Sequence, residues 1–244
     1  ARAMAQRAER YADAIVVPTH AVADDLAGAL DLGDRVRVIA GAVSPSLDPG
    51  PSVDSRAAAL GLPDRYVLAV GGLDGVSGIP ALVRAAAGGH APDVPLLLVG
   101  VHADELDALV RSLPGHDGGL EPDRVRAHGV LDETDLAIAY SRAAVVAVPA
   151  LSAGSGLVAL EAMSLGAPVV HSDAAALLEV CSDAGVVVAR DDADGYPERL
   201  ADAVRSVLDD PALAAELAVR GRDRARAFSW RDSAEKVWQL HADL

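Results

Sequence analysis

Eight short apolar runs, rich in valine, recur along the chain and are separated by longer stretches in which apolar residues follow the spacing of a helix. A run with few polar residues indicates a strand that is buried on both faces. Buried strands that alternate with helices predict an α/β fold, in which helices cover both faces of a parallel sheet. The predicted strands are Ala14–Pro18, Val36–Ala40, Tyr66–Val70, Leu96–Gly100, Val125–Ala127, Ala144–Val148, Pro168–Val170 and Val186–Ala189.

The stretches between these runs predict helices, and the end of the chain adds three helices with no strand between them. Asp210 followed by Pro211 is typical of a helix start, because proline suits the first helical position behind a capping aspartate. The fold is therefore expected to have a helical C-terminus. The predicted helices are His20–Leu30, Ile79–Ala87, Asp104–Leu113, Glu133–Ser141, Gly156–Leu165, Ala174–Val180, Tyr196–Leu208, Pro211–Arg226 and Ser229–Ala242.

One segment, Ala42–Val53, lacks helical periodicity and contains Pro45, Pro49, Gly50 and Pro51. Proline and glycine at this density indicate a linker. Two strands with the helix between them precede the segment, and the other six predicted strands follow it. The sequence thus predicts the end of one α/β domain followed by a complete second one.

Charge and cysteine content limit the partners and the compartment. With 21 basic and 36 acidic residues the net charge is −15, which repels nucleic-acid phosphates and disfavours anionic membrane surfaces. The single cysteine, Cys181, has no partner within the chain for a disulfide, which predicts a cytoplasmic protein. The longest apolar runs, such as Ala143–Leu151, are too short to span a bilayer.

The densest motif lies between Pro149 and Val170, where a predicted strand leads through a loop of small residues into a helix. Backbone N–H groups at Gly156–Val158 have no acceptor within the helix, and together with the helix dipole they favour an anion. Alternatively, Gly154 and Gly156 only permit a tight turn and close packing of the helix on the sheet. These residues alone leave both interpretations open.

The spacing Gly154-x-Gly156-x-x-Ala159 also fits the form of a dinucleotide-binding fingerprint, with Asp173 as a candidate ribose ligand near the end of the next strand. In that fingerprint the glycines follow the strand directly, whereas residues 149–153 intervene here. A nicotinamide-dependent oxidoreductase is therefore the weakest functional hypothesis.

The same segment resembles the donor-binding signature of family-four retaining glycosyltransferases of the GT-B type, which have two Rossmann-type domains. Further segments resemble the family in the same order along the chain, namely Val70–Ile79, Leu97–Gly100, Val125–Gly129, Leu178–Val180, Leu208–Ala212 and Phe228–Trp230. The residues that match the signature itself are Gly154, Gly156, Leu157, Leu160, Glu161, Ala162, Met163, Gly166, Pro168, Val169 and Val170.

The resemblance implies a GT-B-like fold whose Rossmann-type parallel sheet is covered by helices on both faces. Residues 1–44 would be the tail of the N-terminal, acceptor-side domain, residues 45–228 the donor-binding domain, and residues 229–244 a helix that crosses back. The implied activity is the transfer of a sugar from a nucleotide-diphosphate sugar, with retention of configuration and without a metal or other cofactor. In the family the N-terminal domain mostly selects the acceptor, so the acceptor stays open for this chain. The N-terminal domain or a separate partner subunit is therefore a further expected partner of the chain.

The resemblance also implies roles for individual residues. Glu161 would accept hydrogen bonds from the ribose hydroxyls, although a carboxylate near a helix start is also stabilised simply by the helix dipole. Val130 and Leu131 would contact the base, or else belong to a plain strand–helix connection. No catalytic side chain is assigned, because the departing diphosphate can itself take the acceptor's proton. The expected diphosphate-binding residues are Gly71, Gly72, Ser77, Gly154, Gly156, Leu157 and Val158.

The chain departs from the family at three positions of the site. Gly72 replaces an arginine and Ser77 a lysine that grip the diphosphate, and Ala153 replaces the first glutamate of the family's Glu-x7-Glu pair. Cations beside a departing diphosphate stabilise its developing charge, so their loss favours an alternative in which the chain is a non-catalytic binding or partner subunit. The arginines considered as substitutes are Arg84, Arg142 and Arg190.

Histidine spacing predicts no metal site, because no two histidines lie four residues apart and none forms a cluster with Cys181. His171 ends a predicted strand. Its imidazole either faces the ligand cleft or, as is more common, lies buried at the end of the strand.

Overall fold

The computed structural model describes residues 2–87, 92–113 and 123–244, and in these ranges eight strands and eleven helices occur. Every predicted strand and helix is confirmed, with bounds that differ by at most two residues. The strands are β1 (Ile15–Val17), β2 (Val36–Val38), β3 (Val67–Val70), β4 (Leu96–Val99), β5 (Val125–Ala127), β6 (Val145–Val148), β7 (Val169–Ser172) and β8 (Val186–Val188). The helices are α1 (Arg2–Tyr11), α2 (His20–Ala29), α3 (Val53–Ala59), α4 (Ile79–Ala87), α5 (Ala103–Ser112), α6 (Glu133–Arg142), α7 (Leu157–Ser164), α8 (Ala175–Cys181), α9 (Tyr196–Asp209), α10 (Pro211–Ala225) and α11 (Trp230–Asp243).

The main sheet has six parallel strands in the order β5-β4-β3-β6-β7-β8. The chain enters at β3, moves outward through β4 and β5, and then crosses back to pair β6 with β3. This is the strand order of the doubly wound Rossmann fold, and the order reverses between β3 and β6. Ligands of such sheets bind at this switch point, beyond the carboxyl ends of the strands.

Helices cover both faces of the sheet, as the apolar runs predict. Alternate strand residues turn to opposite faces, so that Leu68 and Leu97 lie in one buried cluster while Ala69 and Leu98 lie in the other. Helices α6, α7 and α8 cover the face that carries Leu68 and Leu97, and α4, α5 and α9 cover the face that carries Ala69 and Leu98. All four residues are fully buried, which explains why the strands carry almost no polar side chains.

Residues 15–38 form a separate two-stranded parallel sheet, in which α2 connects β1 to β2. This unit packs against the main domain through Glu179 of α8, whose carboxylate accepts hydrogen bonds from the backbone N–H groups of His20 and Ala21. At the other end of the chain, α11 lies against the segment that follows β2. There Trp230 donates to the carbonyl of Val43 at 3.0 Å.

Helix α3 is absent from the sequence prediction. It follows the predicted linker directly and has only seven residues, of which Ala57 alone is buried, so it carries little periodic signal. Its attachment is electrostatic instead, since Arg56 pairs with Asp135 at the start of α6 at 2.7 Å.

Among the described residues, no helix combines the length and the apolar character needed to cross a membrane. The described ranges also contain no group of three or more acidic, histidine or cysteine side chains that could hold a metal ion. His90 and His116 lie outside these ranges.

His171 lies in the interior of the domain rather than in an open cleft. Its side chain on β7 is fully buried, and its Nδ1 lies 2.8 Å from the carbonyl oxygen of Ser172 while Nε2 has no partner. Burial disfavours the imidazolium and lowers the pKa of His171, which supports the second of the two interpretations.

We expect the stability of the domain to fall as the pH drops below about 6.5, the pKa of an unfolded histidine. The unfolded chain then binds a proton that the folded His171 resists, so His171 contributes a slope of up to about 1.4 kcal/mol per pH unit. In His171→Asn the amide retains a donor for the Ser172 carbonyl and does not titrate. Urea unfolding between pH 7 and pH 5 should therefore give a flatter profile for this variant, whereas His241→Asn, at an exposed position of α11, should match the wild type. Parallel profiles for wild type and His171→Asn would contradict the expectation.

Candidate functional site

Two loops meet where the strand order reverses. The β3 loop (residues 71–78) follows β3, and the β6 loop (residues 149–156) follows β6 and leads into α7. Backbone hydrogen bonds join the loops, because the N–H of Leu151 donates to the carbonyl of Val76 at 2.8 Å. The segments that carry the family signature thus lie together at the expected ligand position of the sheet.

A cavity of about 230 Å³ lies between these loops. Five of the ten predicted site residues line it: Ser77, Gly154, Gly156, Leu157 and Val158. The remaining wall is apolar except for Ser155, and none of its side chains is charged. The other lining residues are Val70, Val148, Pro149, Ala150, Ala153, Ser155 and Leu177.

The N-terminus of α7 faces this cavity. Gly156 caps the helix with φ of 62°, in the left-handed region that favours glycine. A Cβ at this position would lie 3.0 Å from the side chain of Val180, so the glycine is also needed for space. The first N–H groups of a helix have no intrahelical acceptor, and the helix dipole adds a partial positive charge. The cavity therefore offers an anion a binding position without a cationic side chain.

Side chains from four other parts of the chain fix the β6 loop by donating to its carbonyl oxygens. Because these hydrogen bonds hold the carbonyl groups of the loop, the loop keeps one conformation before any ligand arrives. Less conformational entropy is then lost on binding. The donors are Tyr196 Oη to Pro149 O, Ser172 Oγ to Ala150 O, Arg190 Nη1 to Leu151 O and Thr19 Oγ1 to Gly154 O.

Glycines allow the loops to approach each other closely. A Cβ on Gly78, where φ is 68°, would lie 1.8 Å from the carbonyl oxygen of Pro149 in the β6 loop. A Cβ on Gly100, after β4, would lie 3.0 Å from the carbonyl oxygen of Gly71. In both cases the added Cβ would meet a main-chain carbonyl oxygen, which cannot rotate away as a side chain can, so glycine is required at Gly78 and Gly100.

Glu161 lies one turn into α7, beyond the cavity wall. Its Oε2 accepts a hydrogen bond from Tyr140 Oη of α6 at 2.9 Å. Partial burial raises the pKa of Glu161 and the nearby Glu133 adds to this, whereas the hydrogen bond from Tyr140 opposes it. Glu161 is thus a half-buried acid held in one position by a neighbouring helix, rather than a freely solvated carboxylate at a helix start.

Val130 and Leu131 lie at the same edge of the sheet, after β5, but do not line the cavity. Val130 is 79% exposed, and Leu131 packs partly against the buried cluster under α6. Their loop is joined to the next one by a hydrogen bond of 2.6 Å from the Gly100 N–H to the Gly129 carbonyl. The structure therefore places them two strands away from β3.

Of the three arginines considered as substitutes for the missing cations, only Arg190 lies at the carboxyl edge of the sheet. Arg84 and Arg142 are in the last turns of α4 and α6, at the opposite edge, and Arg142 pairs with Asp54 at 2.5 Å. The Arg190 guanidinium already binds Asp173 and the β6 loop.

That ion pair also bears on the dinucleotide hypothesis. Hydrogen bonding from Arg190 lowers the pKa of Asp173 and engages its Oδ1, so the acid that this hypothesis assigns to the ribose already forms an ion pair. In addition, the glycines of the proposed fingerprint begin six positions after β6 ends at Val148, and they follow the fourth strand of the sheet rather than the first. A dinucleotide fingerprint directly follows the first strand.

Sequence reasoning missed four of the residues that build the site: Thr19, Tyr140, Ser172 and Tyr196. Tyr140 and Tyr196 lie within predicted helices, and Thr19 and Ser172 lie just beyond predicted strands. In each case the polar atom reaches a partner 21 to 135 residues away along the chain. No local pattern signals such a contact.

Comparison with known proteins agrees with this geometry. The family described as "Glycosyl transferases group 1" matches residues 64–210. The chain is 33% identical to an alpha-maltose-1-phosphate synthase of Mycolicibacterium smegmatis, over 94% of the chain and 63% of that protein. It is 35% identical to a D-inositol 3-phosphate glycosyltransferase of Xylanimonas cellulosilytica, over 94% of the chain and 57% of that protein. The chain thus spans about three fifths of the length of these relatives.

Solved structures with the same fold include the sucrose-phosphate synthase of Thermosynechococcus elongatus, with a TM-score of 0.81 and 30% identity over the whole chain and 62% of the synthase. Anabaena Alr3699/HepE in complex with UDP and glucose has a TM-score of 0.83 at 21% identity, over the whole chain and 66% of that protein. The family resemblance and the GT-B-like fold are thereby confirmed. The chain belongs to the group 1 glycosyltransferase family.

Proposed function

We propose that the chain is the donor-binding part of a glycosyltransferase that transfers a sugar from a nucleotide-diphosphate sugar with retention of configuration. Residues 45–228 would bind the donor, and residues 1–44 with residues 229–244 would belong to the acceptor side. The diphosphate would lie at the start of α7 against Gly154–Val158, near Gly71, Gly72 and Ser77. The base would lie toward Val130 and Leu131.

The observation that carries the proposal is the joint position of the β3 and β6 loops. The segments that resemble the family's donor site follow the two strands between which the strand order reverses, and their loops enclose a cavity at the N-terminus of α7. That terminus suits a phosphate through its dipole and through N–H groups that lack intrahelical acceptors, of which the Leu157 N–H makes only a long contact of 3.4 Å to Ser155 Oγ. The UDP-bound and UDP-glucose-bound structures of Alr3699/HepE, which share the fold, agree with a nucleotide sugar as the ligand class.

A second candidate, a non-catalytic binding or partner subunit, is favoured by the neutral cavity wall. Gly72, Ser77 and Ala153 leave the site without the two cations and the first glutamate of the family. Loss of a single group that stabilises transition-state charge typically costs about 10²–10³ in rate. Such a site would still bind a nucleotide while transferring sugar very slowly.

A thermal-shift panel of UDP, GDP, ADP, dTDP and NAD tests the proposal. A nucleotide at 100 times its Kd adds about 2.7 kcal/mol to the folded state. For a domain of this size we therefore expect an increase of about 5–10 °C in Tm with at least one nucleoside diphosphate. Absence of a shift with every nucleotide would contradict donor binding, and a shift with NAD alone would favour an oxidoreductase. Incubation with the matching labelled nucleotide sugar and acceptor mixtures then separates an enzyme from a binding subunit.

We expect Glu161→Gln to weaken the nucleotide that binds best by about 1–3 kcal/mol, because a neutral amide oxygen accepts hydrogen bonds more weakly than a carboxylate. The 2′,3′-dideoxy analogue lacks the ribose hydroxyls, so it should bind the wild type weakly and be almost insensitive to the substitution. Calorimetric titration of both proteins with both ligands isolates the contact. Equal losses for the two ligands would assign Glu161 to folding or to the helix dipole.

A further inference from the structure

Tyr140 is the residue on α6 that holds the side chain of Glu161, and no role in the site follows for it from the family signature. Its ring is fully buried among apolar residues of α6, α7 and the sheet. A buried phenol needs a hydrogen-bond partner, and a main-chain carbonyl would serve. Its hydroxyl instead reaches across to the next helix and donates to Glu161 Oε2 at 2.9 Å.

We propose that Tyr140 is a positioning residue, whose hydroxyl fixes Glu161 Oε2 and thereby directs Oε1 toward the ribose hydroxyls of a bound nucleotide. The inference rests on the proposed function of the site. A glutamate side chain has three rotatable bonds, and fixing one oxygen before the ligand arrives lowers the entropy lost on binding.

The hydrogen bond acts on the charge of Glu161 as well as on its orientation. Partial burial favours the neutral acid and raises its pKa, and Glu133 at the start of α6 works in the same direction. A donor to the ionised oxygen opposes both effects. Tyr140 thus favours the ionised carboxylate, which is the stronger acceptor for a ribose hydroxyl.

Tyr66 supplies a matched control. It is also fully buried, lies in the same apolar cluster, and donates its hydroxyl at 2.7 Å to the carbonyl of Ala139, the residue before Tyr140. Its hydroxyl does not bind Glu161. The two Tyr→Phe variants therefore each remove one buried hydroxyl from the same core, and only Tyr140→Phe removes the contact with the acid.

The experiment compares wild type, Tyr140→Phe, Tyr66→Phe, Glu161→Gln and the double variant Tyr140→Phe/Glu161→Gln. UDP, GDP and ADP are titrated calorimetrically together with their 2′,3′-dideoxy counterparts. We expect Tyr140→Phe to weaken the best ribonucleotide about three- to tenfold and its dideoxy analogue hardly at all. Tyr66→Phe should leave both affinities unchanged, and Tyr140→Phe should have little further effect once Glu161 is Gln.

Each contrary outcome has its own meaning. Wild type that binds no nucleotide would overturn the proposed function and this inference with it. Wild type that binds while Tyr140→Phe behaves like Tyr66→Phe would overturn the inference alone. Equal weakening of the ribonucleotide and its dideoxy analogue would assign Tyr140 a purely structural role, and so would an undiminished effect in the Glu161→Gln background.

Discussion

Gly78→Ala is expected to destabilise the domain by about 2–5 kcal/mol, the sum of a strained backbone and a main-chain collision. The position has φ of 68°, where an L side chain is unfavourable, and an added Cβ would lie 1.8 Å from the Pro149 oxygen and 2.6 Å from its carbonyl carbon. Because both atoms belong to the main chain, no side-chain rotation relieves the contact. The β6 loop must move, and the cavity at the start of α7 changes with it.

Gly75→Ala is the control, since it lies in the same β3 loop and a Cβ there meets nothing within 4 Å. Thermal unfolding should give a Tm about 5–15 °C lower for Gly78→Ala and a value near the wild type for Gly75→Ala. The nucleotide that stabilises the wild type should also bind Gly78→Ala more weakly, since both loops line the proposed site. Equal Tm values for the two variants would show that the loops tolerate separation.

The fold was accessible from the sequence because its strands are buried on both faces. Runs such as Leu96–Gly100 and Ala144–Val148 contain no polar side chain, and each is bounded by helical spacing, so the strands could be placed within a residue or two. The order of the strands is a different matter. Pairing of β3 with β6, whose first paired residues are Val67 and Val145, is a contact between distant parts of the chain that no local period encodes. The family resemblance implied a Rossmann-type sheet, and the strand order itself comes from the structure.

The site was accessible only in part, for a related reason. Gly154, Gly156 and Glu161 stand out because glycines before an otherwise apolar helix, with a lone acid inside it, break the pattern. Tyr140 and Thr19 do not stand out, because the apolar body of each fits the core and the polar tip matters only once its partner is known. Val130 and Leu131 illustrate the opposite case, because the resemblance assigned them to the base and the structure places them at the same edge of the sheet but outside the cavity.

Restoring the two cations that the family has at Gly72 and Ser77 is the strongest test of where a diphosphate would lie. The cavity wall is neutral, and the chain has a net charge of −15, so the distal phosphate would rely on the N-terminus of α7. The structure leaves room for both family residues. A Cβ on Gly72 meets nothing within 4 Å. Ser77 lines the cavity, and its hydroxyl makes two long hydrogen bonds, donating to the Asp74 carbonyl at 3.2 Å and accepting from the Ile79 N–H at 3.3 Å.

The double variant Gly72→Arg/Ser77→Lys should therefore bind UDP more tightly than the wild type, by roughly 10- to 150-fold for each well-placed cation, since a hydrogen bond to a charged group contributes about 1.5–3 kcal/mol. UMP lacks the distal phosphate and should gain much less. Gly75→Arg is the control, because it places a cation on the same loop but not at a position where the family has one. It measures the effect of a less negative net charge, a long-range attraction that salt screens. Calorimetric titration of UDP and UMP at two salt concentrations separates these effects. Equal gains for UDP and UMP, or a gain that Gly75→Arg reproduces, would mean that the β3 loop does not face the distal phosphate.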